Sequence, residues 1–521
     1  MFSVVEIDSA QTERRVCADI RRRFQTGPPT RCTRGATYFD TFDWRLHRSE
    51  TSLCEWRDED QPVVCWQDKN GQVLHRMLGM SLPGFAHQMP EGAFRDELAP
   101  KVDVRRMLPA VRVELRITEM RILDENRKTV ARALFERGFA TGPDSGDPRK
   151  RIPGTLTIVP LLGYERDAKR VARFIEKELG LRPTEPLPLM RALGAVNRDL
   201  TGSETPSKVK LDPAMKSADA TRAILLRLFE VMLRNEDGLR RDLDSEFLHD
   251  FRVAVRRTRA ALGQLKQVFP QEQFDRFRAD FKWLGNLTGP TRDLDVYLLK
   301  LPGYRALLPL ELREDLDPLE QLLVRRQRKE HGRLVSSLKT KRYQALLRDW
   351  PEALSGKFST DEVADEADRP VHDLASERIL RLYRRVLKRG RAAIETPSAD
   401  RMHRLRLECK KFRYLLEFFS GLYKPAEIRR AIRTLKKLQD HLGDFNDLDV
   451  QQRALAGFAH ELANAETSGE RTLIALGRLV ERLAAEQERI QREFRERFEP
   501  FATRENQLRM RKLFTAEEKR S

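Results

Sequence analysis

At 521 residues the chain is too long for a single core, and at 40% hydrophobic it is too apolar to be disordered throughout. Its formal charge of +18 favours anionic partners: nucleic acid, phosphate polymers or an anionic membrane surface. Residues 1–200 carry 34 basic and 29 acidic side chains and residues 201–521 carry 64 and 51, so most of the excess lies in the C-terminal part. The five cysteines, Cys17, Cys32, Cys54, Cys65 and Cys409, are odd in number and show no CxxC spacing. That speaks against a disulfide scaffold or a zinc site and for reduced thiols in a cytoplasmic protein. The start, MFSVVEIDSAQTERR, lacks the basic head and apolar core of a signal peptide. No apolar run reaches the roughly 18 residues needed to cross a bilayer, so a soluble, intracellular chain without a membrane partner is expected.

In chain order, residues 63–67, 110–117 and 155–161 read as strands, and 166–180 as a helix ended by Gly180 and Pro183. This makes residues 1–182 an α+β domain. Residues 183–216 are rich in Pro, Ser and Thr and read as a linker with a short helix at 188–199. From 217 to 521 apolar residues recur at three and four, as in Ile224, Leu225, Leu228, Met232 and Leu233, which predicts an all-α domain. The polar, acidic stretch 353–372 reads as a connecting loop.

The helical part contains an internal repeat at a constant offset of 154 residues. His249-Asp-Phe-Arg252 lies over His403-Arg-Leu-Arg406, and Arg256, Arg257 and Arg259 over Lys410, Lys411 and Arg413. Lys282 lies over Lys436, Gly289 over Gly443, and Asp293-Leu294-Asp295-Val296 over Asp447-Leu448-Asp449-Val450. The unit is too long for a solenoid repeat. It predicts two similar helical bundles, about 217–350 and 371–505, related by a pseudo-two-fold axis.

Each copy places His at i and a cation at i+3, i+7 and i+10, which on a helix form one stripe. His249, Arg252, Arg256 and Arg259 share that stripe, with Arg257 beside it; His403, Arg406, Lys410 and Arg413 share the second, with Lys411 beside it. Phe251, Val255, Leu262 and Leu265, and Leu405, Leu415, Leu416 and Phe419, are left to face the core. Like charges on one stripe repel, and an ordinary solvated helix interleaves acids at i±4. Here the acids nearby, Asp250 and Glu408, fall on other faces. A polyanion would complete the pattern, arginine gripping phosphate oxygens through fixed donors and lysine as a point charge. Lys282, Lys436 and Lys437 sit on the next helix, where they either line the same cavity or are plain surface lysines. Asp293, Asp295, Asp447 and Asp449 lack the Gly and terminal Glu of a calcium loop; capping or pairing with the stripe arginines is expected in place of a metal.

The stretches HDFRVAVRRTRAAL, LGNLTGPTRDLDVY, HRLRLECKKFRYLL and LQDHLGDFNDLDV resemble the CHAD family, the conserved histidine α-helical domain, over roughly 207–510. The resemblance implies two four-helix bundles around a basic central channel that binds inorganic polyphosphate, and association with polyphosphate granules. YFDTFDWRLHRSETSL at 38–53 resembles the Y-x-D-T-x-D-x-x-L signature of the CYTH, or triphosphate tunnel metalloenzyme, family, whose antiparallel tunnel holds a triphosphate and a divalent metal. The ExExK pattern of that family is eroded to Glu6-Ile-Asp8-Ser9-Ala10, and Cys54 and Trp56 stand where it has R-x-R. Glu6, Asp8 and Glu114 are the remaining candidates for a metal there, and no metal or cofactor is expected, because a triphosphatase needs several carboxylates and phosphate-binding cations. No P-loop, GxSxG or HExxH motif occurs. The expectation is a non-enzymatic polyphosphate-binding protein; the alternatives are a metal-dependent triphosphatase and a nucleic-acid or ribosome-associated protein. Few exposed aromatics accompany the basic helices, whereas single-strand sites stack bases on aromatic rings.

Overall fold

The computed structural model describes residues 3–7, 9–58, 61–69, 71–144, 146–184, 188–197, 209–355, 364–464 and 469–515. The chain divides into two compact units, Met1–Glu204 and Thr205–Ser521. No described helix is long and apolar enough to cross a membrane.

The first unit is built on one antiparallel sheet of eight strands: β1 (Ser3–Ile7), β2 (Thr30–Asp40), β3 (Thr51–Asp58), β4 (Gln61–Asp68), β5 (Val73–Leu78), β6 (Leu108–Leu123), β7 (Thr129–Thr141) and β8 (Lys150–Pro160), in the order β1-β8-β7-β6-β2-β3-β4-β5. Its helices are α1 (Ala10–Arg23), α2 (Arg45–Arg48), α3 (Ala93–Val102), α4 (Glu165–Arg173) and α5 (Pro188–Ala195). The strong alternation of β6 sorts its faces: Val111, Val113, Leu115 and Ile117 are buried, while Arg112, Glu114 and Arg116 are exposed. Val16 and Ile20 of α1 and Ala168 and Val171 of α4 share one core with Val5, Ala133, Phe135 and Leu156. Leu189, Ala192 and Leu193 of α5 share another with Tyr38, Cys54, Val111, Val113 and Leu115. The short helix expected inside a linker therefore docks on the sheet, and the compact unit extends beyond residue 182 to Glu204.

The second unit is all-helical and duplicated. Its helices are α6 (Ser217–Arg240), α7 (Ser245–Gln264), α8 (Gln271–Leu287), α9 (Gly289–Leu307), α10 (Asp317–Ser337), α11 (Lys341–Ser355), α12 (Val371–Glu395), α13 (Ala399–Phe418), α14 (Pro425–Asn464), α15 (Glu470–Ala502) and α16 (Arg504–Phe514). The starts of α6 and α12, α7 and α13, and α8 and α14 are each 154 residues apart, as are the N-caps Asp244 and Ser398. Copy one breaks where copy two does not. Thr288 separates α8 from α9, and Pro290 in the first turn of α9 has no N–H to continue α8. Asp444 stands at the equivalent place, and α14 runs through.

The pseudo-two-fold axis passes between Lys216 and Pro370, equivalent residues that pair antiparallel. Ser217 N–H donates to Arg369 O at 2.9 Å, and its counterpart Val371 N–H donates to Met215 O at 2.8 Å. Copy one packs α6, α7, α8 and α11 around Trp350, Phe274, Phe277 and Phe281. Copy two packs α12, α13, the first half of α14 and the end of α15 with α16, as in the contacts of Tyr383 with Phe412 and Phe501. The remaining pieces, α9, α10, the second half of α14 and the first half of α15, share one core in which Leu294, Tyr297 and Leu323 meet Leu455, Phe458 and Leu479. That shared core locks the two copies together.

Candidate basic site between the repeats

Asp244 caps α7, its carboxylate accepting from Glu246 and Phe247 N–H, and Ser398 caps α13 through Arg401 N–H. Phe251, Val255, Leu262 and Leu265 of the first copy, and Leu405, Leu415, Leu416 and Phe419 of the second, are all buried as expected. Burying that face fixes the rotation of each helix, so the cationic stripe has to point away from its own bundle. Helices α7 and α13 pack against each other, and the stripes converge.

Arg256 is the common member. Its charge acts on His249 and Arg252 of its own helix and on Arg406 and Lys410 of α13. Burial, reinforced by Arg406 and Arg256, pushes Lys410 down to about 8. Arg252 and Arg406 are lowered from the ordinary guanidinium value, by burial first and by neighbouring cations second. His249 is lowered by burial, with Arg292 and Arg256 adding to it. Each stripe also meets an acid of the next helix: Arg406 Nη2 lies 3.2 Å from Asp447 Oδ1, and Asp293 is the principal charge favouring Arg252. These aspartates are equivalent under the repeat, and both add to the burial that pushes Tyr297 up to about 12. Of the two roles expected for them, pairing with a stripe arginine is observed for Asp447, while Asp293 acts on Arg252 through its charge. Asp295 is buried and accepts from Gln327 at 3.1 Å, and Asp449 pairs with Arg453.

Not every expected site residue joins the cluster. Arg252 Nη1 donates to Gly285 O at 3.1 Å and Thr288 Oγ1 at 2.9 Å, which fixes its guanidinium. Arg256 and Arg259 are exposed and have no carboxylate partner among the described residues. Arg257 is turned to Glu417 of the other copy at 2.5 Å, with Tyr414 beneath it, and Arg413 shares that carboxylate at 2.6 Å. Lys411 lies 3.2 Å from Glu408, a buried acid also approached by Arg385 and Arg389. His403 Nδ1 meets Asn446 Oδ1 at 2.6 Å, which puts the ring proton on Nδ1. Lys282 and Lys436 are exposed surface lysines. Lys437 lines a groove of about 1340 Å³ along α14, α15 and α16 with Lys300, Arg430 and Arg433; Asp447 borders both that groove and the cluster. The stripe cations without a carboxylate partner among the described residues are thus Arg256, Arg259 and Lys410; of these, Arg256 and Lys410 act on each other across the two copies, with Arg252, Arg406 and His249 beside them.

Sequence reasoning missed Arg292. It lies 3.1 Å from Glu246, donates to Ser245 O and sets the charge around His249. Its counterpart is Asn446, so the duplication did not mark it.

In the first unit the signature around Asp40 has a structural role. The buried Asp40 carboxylate accepts from the N–H groups of Thr41, Leu46 and His47 at 2.7, 3.0 and 2.9 Å and so holds the turn into α2. Burial raises it to about 6. Ser9 caps α1 and Ala10 opens it, at the place where a lysine would be needed for phosphate. Glu6, Thr155, Glu136 and Ile117 align across β1, β8, β7 and β6; α5 packs on β6, β7 and β8, and Glu6 stays exposed. Arg191 of α5 reaches Glu136 at 3.4 Å and Pro153 O at 3.0 Å. Glu114 pairs with Arg149 at 2.9 Å. Asp8 lies outside the described residues. Among the described residues no three His, Cys, Asp or Glu are grouped to hold a metal.

Residues 223–456 match the family model of the CHAD domain. A CHAD domain structure from the plant Ricinus communis is 28% identical, covering 56% of this chain and 95% of that one with a TM-score of 0.46. PptA from Streptomyces chartreusis is 18% identical, covering 55% and 99%, with a TM-score of 0.41. A Bacillus halodurans structure named as a candidate adenylate cyclase is 14% identical, covering 36% and 95%, with a TM-score of 0.25. No curated protein matches the chain.

Proposed function

Taking as premise that residues 223–456 are a CHAD domain, we propose that this protein binds inorganic polyphosphate, without hydrolysing it, between the two copies of its basic helix. The observation that carries the reading is the convergence of Arg256 on Arg406 and Lys410, which come from the other copy. Arg256, Arg406 and Lys410, three cations from two helices, act on one another, and Asp447 is the acid that acts on the two from α13. Their mutual repulsion is an energetic cost of the free protein, relieved by a chain that brings one negative charge per phosphate. Among the described residues the free stripe cations have no stacked aromatic partner, which suits a polymer that has no bases. Polyphosphate binding by members of the CHAD family points the same way, and association with polyphosphate granules in the cytoplasm follows as part of the same proposal.

Against a triphosphatase stand three features of the first unit. Ala10 replaces the phosphate-binding lysine, Cys54 and Trp56 replace two arginines, and Arg191 of α5 takes up Glu136. Incubation with tripolyphosphate and Mg²⁺ or Mn²⁺ should release no phosphate above a protein-free control; metal-dependent release would overturn that part.

The deciding experiment is a titration with medium-chain polyphosphate run beside tripolyphosphate and RNA. Long polyphosphate should bind, should displace RNA, and should not be displaced by it. Salt sensitivity is common to both polyanions and decides nothing. Undiminished binding by a helical variant carrying Arg252→Glu, Arg256→Glu, Arg406→Glu and Lys410→Glu would reject the site.

A further inference from the structure

We propose that Cys54 and Cys65 form a peroxide-sensitive dithiol, closing a disulfide that staples β3 to β4 when the protein is oxidised. The inference concerns the first unit and is independent of polyphosphate binding. The two residues are direct partners in the antiparallel register of β3 and β4, flanked by the pairs Leu53 with Trp66 and Glu55 with Val64. Directly opposed residues have their Cβ atoms about 4.5–5.5 Å apart, and a disulfide requires about 3.5–4.5 Å. A closure of the order of an ångström between neighbouring strands is therefore enough. Both side chains belong to the same buried cluster, so they lie on one face of the sheet. The Cys54 thiol donates to the Cys65 carbonyl oxygen at 3.7 Å.

The surroundings divide the roles. Cys65 is opposite Arg76 of β5 in the register, and the guanidinium groups of Arg76 and Arg34 sit over the Trp56 ring at 5.7 and 5.6 Å. The hydrogen bond from Cys54, with Gln67 and Arg76 adding to it, brings Cys65 down to about 7, while the same bond and burial push Cys54 up. Cys65 is thus the readier of the two to lose its proton and Cys54 the readier to keep it. Cys65 Sγ attacks one oxygen of hydrogen peroxide, breaking the O–O bond, to give a sulfenic acid and hydroxide, which takes up a proton to become water. The Cys54 sulfur then attacks the Cys65 sulfur, the S–O bond breaks, and the leaving hydroxyl departs as water with the Cys54 proton. In sum, two thiols and one peroxide become one disulfide and two waters.

The test is direct because Arg57 lies between the two cysteines, so trypsin places them on different peptides. Full-length protein is treated with stoichiometric hydrogen peroxide, alkylated and digested without reductant. The expected result is a linked pair of peptides carrying Cys54 and Cys65, and a fall in titratable thiols from five to three in denaturant. In Cys54→Ser the reaction should stop at a sulfenic acid on Cys65 that dimedone traps. In Cys65→Ser, Cys54 should remain a thiol. Thermal melts of the reduced variants confirm that each is folded. Linkage through the exposed Cys32, conversion of Cys65 to a sulfinic acid with Cys54 present, or two unreacted thiols would each overturn the proposal.

Discussion

Arg256 and Lys410 hold the same position in two copies of one helix, and they face each other closely enough that the arginine helps hold the lysine down to about 8. The relationship is self-opposing by construction: any cation at this position meets its own duplicate across the axis. It yields a pH dependence whose sign differs for folding and for binding.

Between about 8 and its ordinary value of 10.5, Lys410 is neutral in the folded chain and protonated in the unfolded one. The unfolded chain then binds more protons, so this residue's contribution makes stability rise with pH across that window. A bound polyanion restores the proton. Affinity for polyphosphate should therefore fall as pH rises from about 7 to about 9, with proton uptake on binding at the upper end. In Lys410→Arg the side chain stays charged, and that part of the slope should vanish. Titrations at fixed ionic strength in buffers of different ionisation enthalpy measure both quantities. A Lys410→Arg protein with the wild-type slope would place the titrating group elsewhere.

The stripe residues should not be equal. Arg256 is free, whereas Lys411 is held by Glu408 alongside Arg385 and Arg389. Arg256→Ala removes one charge-assisted contact, about 1.5–3 kcal/mol or roughly ten- to hundredfold in affinity. Lys411→Ala should change affinity by less than about threefold, since its charge is already compensated. Equal losses in a polyphosphate titration would mean that total charge, and not this arrangement, governs binding.

How far the sequence could foresee this depends on whether a residue was copied. His249 and His403, Arg252 and Arg406, Arg256 and Lys410 are duplicated, and helical periodicity places each on one stripe. Asp293 and Asp447 are duplicated too, and the pairing of Asp447 with its arginine was legible. Glu417 and Glu408, which take Arg257 and Lys411 out of the site, stand opposite Gly263 and Ala254 in the other copy. A comparison of copies passes over such unpaired acids, and spacing along one helix says nothing about a partner from the other. Arg292 is hidden in the same way behind Asn446. In the first unit, short runs of β-forming residues revealed strands β4, β6 and β8, but the docking of α5 is a tertiary event that its Pro-rich neighbourhood concealed.

Two helical glycines support the bundles by close approach. A Cβ at Gly238 would lie 2.2 Å from the Phe247 ring, and one at Gly390 would lie 2.0 Å from Phe498. Both rings are buried and have nowhere to go. Gly238→Ala and Gly390→Ala should each cost about 1–3 kcal/mol despite the better helix propensity of alanine. At Gly285 the same Cβ meets only the Arg259 guanidinium tip, at 2.5 Å, which is the end of a flexible side chain. Gly285→Ala should be neutral or stabilising by up to about 1 kcal/mol. Urea melts followed by helical circular dichroism compare the three, and a stable Gly238→Ala would show that Phe247 repacks.

Glu417 tests the bond between the copies. It accepts Arg257 from α7 and Arg413 from its own helix, and its side chain and that of Arg257 are only 11% and 12% exposed. Removing the carboxylate leaves the buried Arg257 guanidinium unpaired beside the partly exposed Arg413; loss of a buried partner costs about 3–5 kcal/mol, and solvent at Arg413 screens part of it. Glu417→Gln keeps the shape and loses the charge, so it isolates the electrostatic part. The same change also adds two uncompensated cations beside the converging stripes. Free Glu417→Gln should therefore melt well below wild type, and saturating polyphosphate should raise its melting temperature more than it raises that of the wild type, because the ligand supplies the missing negative charge. A variant that is destabilised but gains no more from polyphosphate than wild type would show that Arg257 lies outside the reach of the bound chain.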